Sequence, residues 1–232
     1  FWFATLPAAI AVLHVVVGVE DAKPRGGGAP VQSPIRFADL SRLARPFWEL
    51  VAVGVIFTLA RFSEAFLILK ANAEGLPLAM APLVLVAMNI IYAAGAYPAG
   101  KLSDRVSARA ILAAGIICLI LADLALAILD GIGGAFVGIA LWGAHMALTQ
   151  GLFAKLVADN SAPELRGSAY GLFNLATGVT MLFASVIAGV VWDRFGADAT
   201  FLVGGAFALL AMVLLFVRAP PYTRGYIYKG PE

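Results

Sequence analysis

An all-α membrane protein is what this sequence predicts, and three observations predict it. Of 232 residues, 62% are hydrophobic and 13% charged, and the mean hydropathy of +0.92 lies far outside the range of soluble domains. Apolar runs long enough to cross a hydrocarbon core, for which about 20 residues suffice, recur along the whole chain. The connectors between them are short, which forces successive helices to run antiparallel.

Residues 1–19 form the first apolar run, barely long enough to span. The chain begins with Phe1 inside that run, with no basic leader of the kind a secretory signal carries, so it is expected to be cut from a longer protein. Residues 20–45 carry Pro24, Pro30, Pro34 and three consecutive glycines, and read as a flexible linker that cannot bury enough surface to fold alone. The glycines lead into no helix, so they are not a phosphate cradle. Spanning helices are expected at 46–69, 76–99, 110–129, 136–157, 168–192 and 199–217, followed by a polar tail at 218–232. Cys118 is the single cysteine and lies in an apolar run, which leaves neither a disulfide framework nor a thiolate metal site.

Charge placement sets the expected orientation. Lys and Arg concentrate in the linker, in the turn after residue 99, around Lys155 and Arg166, and in the tail, while the opposite side receives only Lys70 and Arg194. By the positive-inside bias the basic connections are cytoplasmic, in an integral multi-pass protein expected in a bacterial cytoplasmic (inner) membrane. A net charge of +2, with no basic stripe, gives no reason to expect a nucleic-acid partner. The lipid bilayer is the expected surrounding. Trp2, Trp48 and Trp192, near helix ends, read as interfacial anchors.

The turn itself reads Ala99-Gly100-Lys101-Leu102-Ser103-Asp104-Arg105-Val106-Ser107-Ala108-Arg109. Asp104 sits where a helix ends and the helix's own partial negative charge disfavours a carboxylate, so it needs a cation nearby. Gly100 would let a neighbouring helix come close. The charges alone fit a basic loop obeying the positive-inside bias equally well. The order Gly-x-Leu-Ser-Asp-Arg-x-x-x-Arg between two spanning helices resembles the loop motif of the major facilitator superfamily, Gly-x-Leu-Ala-Asp-Arg-x-Gly-Arg-Arg. It departs from that motif at Ser107 and Ala108. Pro163-Glu164-x-Arg166-Gly167 is similar to a further loop pattern of the family.

Ala-Gly-x-x-x-Asp-Arg recurs three helices later, from Ala188 to Arg194, on the opposite side in this topology. Chance recurrence aside, that is an inverted three-plus-three repeat, the arrangement known for each half of this superfamily. The resemblance implies a facilitator-type C-terminal six-helix bundle at 46–217, preceded by the last helix of an N-terminal half and a central cytoplasmic linker, with the rest of that half as a missing partner. It further implies a permease, a secondary transporter moving a small solute by alternating access. A transport-inactive sensor or binding protein of the same fold is the alternative.

Ionisable groups at membrane depth cost about 2.5 to 3.5 kcal/mol each and ask for an explanation. Arg61 and Glu64, three residues apart on the expected 46–69 helix, share a face and either neutralise each other or line a cavity. In the family the first and fourth helices of each half line that cavity, which implicates His145 and Gln150 on the fourth. An imidazole suits proton coupling, though a packing role explains it as well. Asn89 could reach the same cavity or simply bond a neighbouring helix. Asp123, on a helix peripheral in the family fold, is expected to have a structural partner. Phe57 and Ile68 fall in line with the charged pair. On the cytoplasmic side Gly100 belongs to the same gating motif as Asp104, Arg105 and Arg109, and those three charged residues could pair with Glu164 and Arg166 when that end closes, a differential contact of the kind a gate needs. No serine-hydrolase elbow, zinc-protease motif or phosphate loop occurs, so neither an enzyme nor a cofactor is expected.

Overall fold

A computed structural model describes residues 2–18 and 42–217. The chain divides into two units, Phe1–Ser33 and Pro34–Glu232. In the first, α1 (Trp2–Gly18) is apolar apart from Thr5 and His14. Its 17 residues reach about 26 Å at 1.5 Å per residue, slightly less than a hydrocarbon core. Of the linker expected at 20–45, all but its last four residues lie outside the described residues, as does the tail at 218–232.

The second unit is a helical bundle. The span expected at 46–69 is two helices, α2 (Arg45–Ala60) and α3 (Ala65–Ala73). Pro46 starts α2 where a missing N–H costs nothing. The helix then stops at Arg61, whose φ of −104° and ψ of 67° are not helical. Local hydrogen bonding explains the stop. The Thr58 hydroxyl donates back to the Gly54 carbonyl at 2.7 Å, a bond that bends helices. Ser63 then restarts the chain, its hydroxyl accepting from the Ala65 N–H at 3.3 Å and its carbonyl from the Phe66 N–H at 3.0 Å. The Ser63 N–H donates to the Ser185 hydroxyl at 3.2 Å, so a distant helix holds the break open. Arg61 and Glu64 therefore do not share a helical face.

A 3-10 turn, Leu78–Met80, leads into α4 (Ala81–Ser103), then α5 (Ala108–Ile128) and α6 (Gly131–Asp159). Helix α4 runs four residues past its expected end at 99, so Gly100 to Ser103 form its last turn and only residues 104–107 lie outside helices. Ser107, where the resembled motif has Gly, is the N-cap of α5, its hydroxyl accepting from the Ala110 N–H at 3.3 Å. After the 3-10 turn Pro163–Leu165 comes α7 (Arg166–Val217). A straight helix of 52 residues would be about 78 Å long, more than twice a hydrocarbon core. Gly196, with φ 87° and ψ 178°, resolves this by turning the chain back without a loop. Its two limbs, 166–195 and 197–217, are the last two expected spans.

Helix α6 packs on α4 and α5, and α7 packs on α2 and α5. Helices gain little from apolar attraction when lipid is the solvent, and close approach does the work instead. At Gly143 a Cβ would sit 2.5 Å from the Met88 carbonyl oxygen, so only glycine lets α6 lie against α4 there. Between the helices runs a chain of aromatic rings, with Phe62 at 5.6 Å from both Trp142 and Phe201 and Phe57 at 5.4 Å from Phe153. Trp192, expected as an interfacial anchor, packs at 5.6 Å from Phe66 and 6.3 Å from Phe201.

Candidate solute cavity at the helix break

A cavity of about 540 Å³ opens where α2 stops and α3 begins, a size within the range of small-molecule sites. The break itself supplies Arg61, Phe62, Ser63, Glu64 and Ala65, and α3 adds Ile68. Leu85 of α4, Trp142 of α6, and Met181, Leu182 and Ser185 of α7 close the other sides.

Polar atoms in and around this cavity are short of partners. The Arg61 Nε is buried and makes no hydrogen bond among the described residues, and its guanidinium carbon lies 5.8 Å from the centre of the Phe57 ring. The Glu64 carboxylate forms neither a hydrogen bond nor an ion pair among the described residues, with Arg61 or with anything else. Trp142 is 1% exposed, and its indole N–H is unpartnered although the residue lines the cavity. An unmet buried polar group costs about 1 to 3 kcal/mol, so their gathering at one place is a strong local feature.

The other expected site residues are placed differently. His145 is 0% exposed, its ring edge-on to Trp142 at 5.3 Å and to Phe57 at 6.2 Å, with both nitrogens unpartnered. It stands behind the cavity wall and does not line it. Asn89 is exposed and donates to the Leu85 carbonyl of its own helix at 2.8 Å, and Gln150 is half-buried away from the lining. Asp123 is 0% exposed with both carboxylate oxygens unpartnered, packed against Gly204 and Gly205. The structural partner expected for it is not present among the described residues. Ile68 lines the cavity and Phe57 lies under Arg61, although the helix break between them removes the continuous helical alignment expected. Trp142, Ser63 and Ser185 were missed by sequence reasoning. Ser63, the only hydroxyl beside the charged pair, was the available signal.

At the end of the bundle holding residues 104–107, Asp104 approaches Lys155 Nζ at 3.8 Å, and Lys155 donates to the Ser103 carbonyl at 3.3 Å. Asp104 is 76% exposed, and such surface pairs are worth about 0 to 1 kcal/mol. The Tyr170 hydroxyl ties α7 to the Ala154 carbonyl at 2.7 Å. Arg105, Glu164 and Arg166 are exposed and Arg109 is half-buried. Asp104 is joined to Lys155 here and to neither Glu164 nor Arg166. Gly100 is also exposed, and a Cβ there would touch nothing within 4 Å, so the close helix approach expected at Gly100 is absent among the described residues.

The opposite end holds a tighter cluster that sequence reasoning did not find. The Lys70 side chain, 5% exposed, pairs with Glu74 at 2.7 Å and Asp198 at 3.0 Å. Glu74 also accepts from the Gly131 N–H at 2.5 Å. Those two bonds, the one from Lys70 being the stronger influence, hold the Glu74 carboxyl below the usual range. The spacing of Lys70 and Glu74 at i and i+4 was the legible hint. Because Asp104 and Asp198 lie at opposite ends, the two copies of the Ala-Gly-x-x-x-Asp-Arg motif also end on opposite sides.

Comparison with known proteins agrees with this architecture. The family model for the Major Facilitator Superfamily matches residues 1–176 and 69–229. An uncharacterized MFS-type transporter of Methanocaldococcus jannaschii is 30% identical over 197 residues, which is 82% of this chain and 49% of that protein. Among solved structures, the E. coli fucose:proton symporter FucP superposes with a TM-score of 0.70 at 17% identity, over 91% of this chain and 52% of that one. FucP in the outward conformation gives 0.68 at 19% identity, over 92% and 52%. The POT family transporter PepTSo gives 0.64 at 18% identity, over 74% and 37%. The chain thus spans about half the length of the relatives it matches. With the family model matching nearly end to end, this chain is a multi-pass membrane protein that belongs to the major facilitator superfamily.

Proposed function

We propose that this chain is the C-terminal part of a secondary transporter that moves a small solute by alternating access, with residues 1–19 as the last helix of an N-terminal half and 20–45 as the central linker. Residues 218–232 are then a cytoplasmic tail, in a bacterial cytoplasmic membrane. The observation that carries the reading is the cavity of about 540 Å³ at a broken helix, with an arginine and a glutamate facing it and no pair between them. Charged groups at membrane depth persist where they serve a pathway, and discontinuous helices mark solute sites in transporters.

Proton coupling belongs to the same reading, through Glu64 or His145. Glu64 is the better placed because it lines the cavity, whereas His145 is screened from it by Phe57 and Trp142. The full-length protein in proteoliposomes, screened with a solute panel under an imposed pH gradient, tests both. Glu64→Gln should reduce gradient-driven accumulation at least tenfold. Accumulation that stays pH-dependent in both Glu64→Gln and His145→Gln removes the coupling assignment.

Asp104 acts in this reading as a gate element whose partners differ between the inward- and outward-facing states. Asp104→Asn should shift cysteine accessibility from one side of the membrane to the other in the full-length protein. Unchanged labelling from both sides would sink the role.

A further inference from the structure

Cation and anion stand in one chamber, within each other's electrostatic reach but joined by no hydrogen bond or ion pair. Arg61 closes α2 and Glu64 opens α3, both line the cavity, and neither has an ion-pair partner among the described residues. A solute bearing one charge would satisfy one of them and leave the other exposed to a low-dielectric wall, which is the costly outcome. A neutral solute would satisfy neither. From this juxtaposition we propose that the cavity takes a small zwitterion with an aliphatic body, an amino-acid-like solute whose carboxylate meets Arg61 and whose ammonium meets Glu64.

The surroundings match each part of such a molecule. The Trp142 indole N–H, buried and unpartnered at the lining, is a further donor for the carboxylate. Guanidinium suits a carboxylate because its planar donors can grip both oxygens. The remaining wall is apolar, with Phe62, Ala65, Ile68, Leu85, Met181 and Leu182, and its methionine is able to adapt to the shape of the solute. The Ser63 backbone N–H donates to the Ser185 hydroxyl, which fixes the break, and both serines remain in the lining as further polar groups.

This inference rests on the transport reading and sharpens it. Its test is counterflow of radiolabelled leucine into proteoliposomes holding the full-length protein and preloaded with unlabelled leucine, a measurement that needs no ion gradient. N-acetyl-leucine lacks the ammonium and leucinamide lacks the carboxylate, and each should compete at least about tenfold more weakly than leucine. Arg61→Gln should remove the discrimination against leucinamide alone, and Glu64→Gln that against N-acetyl-leucine alone. The wild-type analogue series decides the matter even where a variant does not fold. If either single-charge analogue competes as well as leucine, or if each variant loses both discriminations equally, the proposal is overturned. Movement of an uncharged hexose without leucine counterflow overturns the zwitterion and leaves the transport reading standing. No movement of any solute in the panel removes both.

Discussion

Trp142 shows how much one side chain can be asked to do. Its ring fills space between Phe62 and His145, while its buried N–H has no partner among the described residues. Trp142→Phe removes the N–H together with part of the ring, and stability and transport read the two losses separately. Because no protein partner is lost, the melting temperature in detergent should change by no more than about 1 kcal/mol of stability, mostly from the smaller ring. The apparent KM for the transported solute should rise severalfold. A large loss of stability with unchanged KM would assign the indole to packing alone. Arg61 and Glu64 were legible as a pair because ionisable residues stand out in apolar sequence. Their relation was not, since an i, i+3 spacing says nothing about whether the helix continues between them. His145 illustrates the opposite error: its depth along the helix was readable, but its ring is boxed in by Phe57, distant in sequence, as well as by Trp142 one turn back on its own helix.

Element lengths came out of the hydrophobic pattern, and element ends did not. The six spans of the bundle are all present, and the differences lie where hydrogen bonds, not hydropathy, decide. Apolar residues continue across Arg61 to Glu64, so the pattern reads one helix where Thr58, Ser63 and Ser185 make two. The loop expected between 192 and 199 is likewise absent, because Gly196 alone turns the chain. Its φ of 87° with ψ near 180° is a region essentially reserved for glycine. A Cβ there would meet nothing within 4 Å, so Gly196→Ala isolates the backbone cost. That cost should be about 1 to 3 kcal/mol, read as a lowered melting temperature of the full-length protein with its solute selectivity intact. Wild-type stability in that variant would mean that the turn relaxes into another conformation.

On the scale of the molecule, the two ends of the bundle are held differently. Lys70, Glu74, Gly131 and Asp198 knit three connections together at one end, and three of those residues are charged. Glu74 is held below its usual range in the folded protein, so its contribution is complete above the unfolded value and fades as pH falls through the folded one. Thermal melting of wild type and Glu74→Gln should therefore differ at neutral pH and converge under acid. Curves that stay parallel throughout would show that the carboxylate adds nothing.

In the proposed alternating-access cycle the knitted end would serve as a fulcrum. Helix α6 has 29 residues and is about 44 Å long, a stiff rod on which a small tilt at one end becomes a large sweep at the other. A rotation of about 5° about the Gly131 end would carry the far end sideways by about 4 Å, using that rise per residue. Lys155 rides on that far end, 3.8 Å from Asp104. Leverage alone would thus be enough to part the two, with no helix unwinding and no loop refolding.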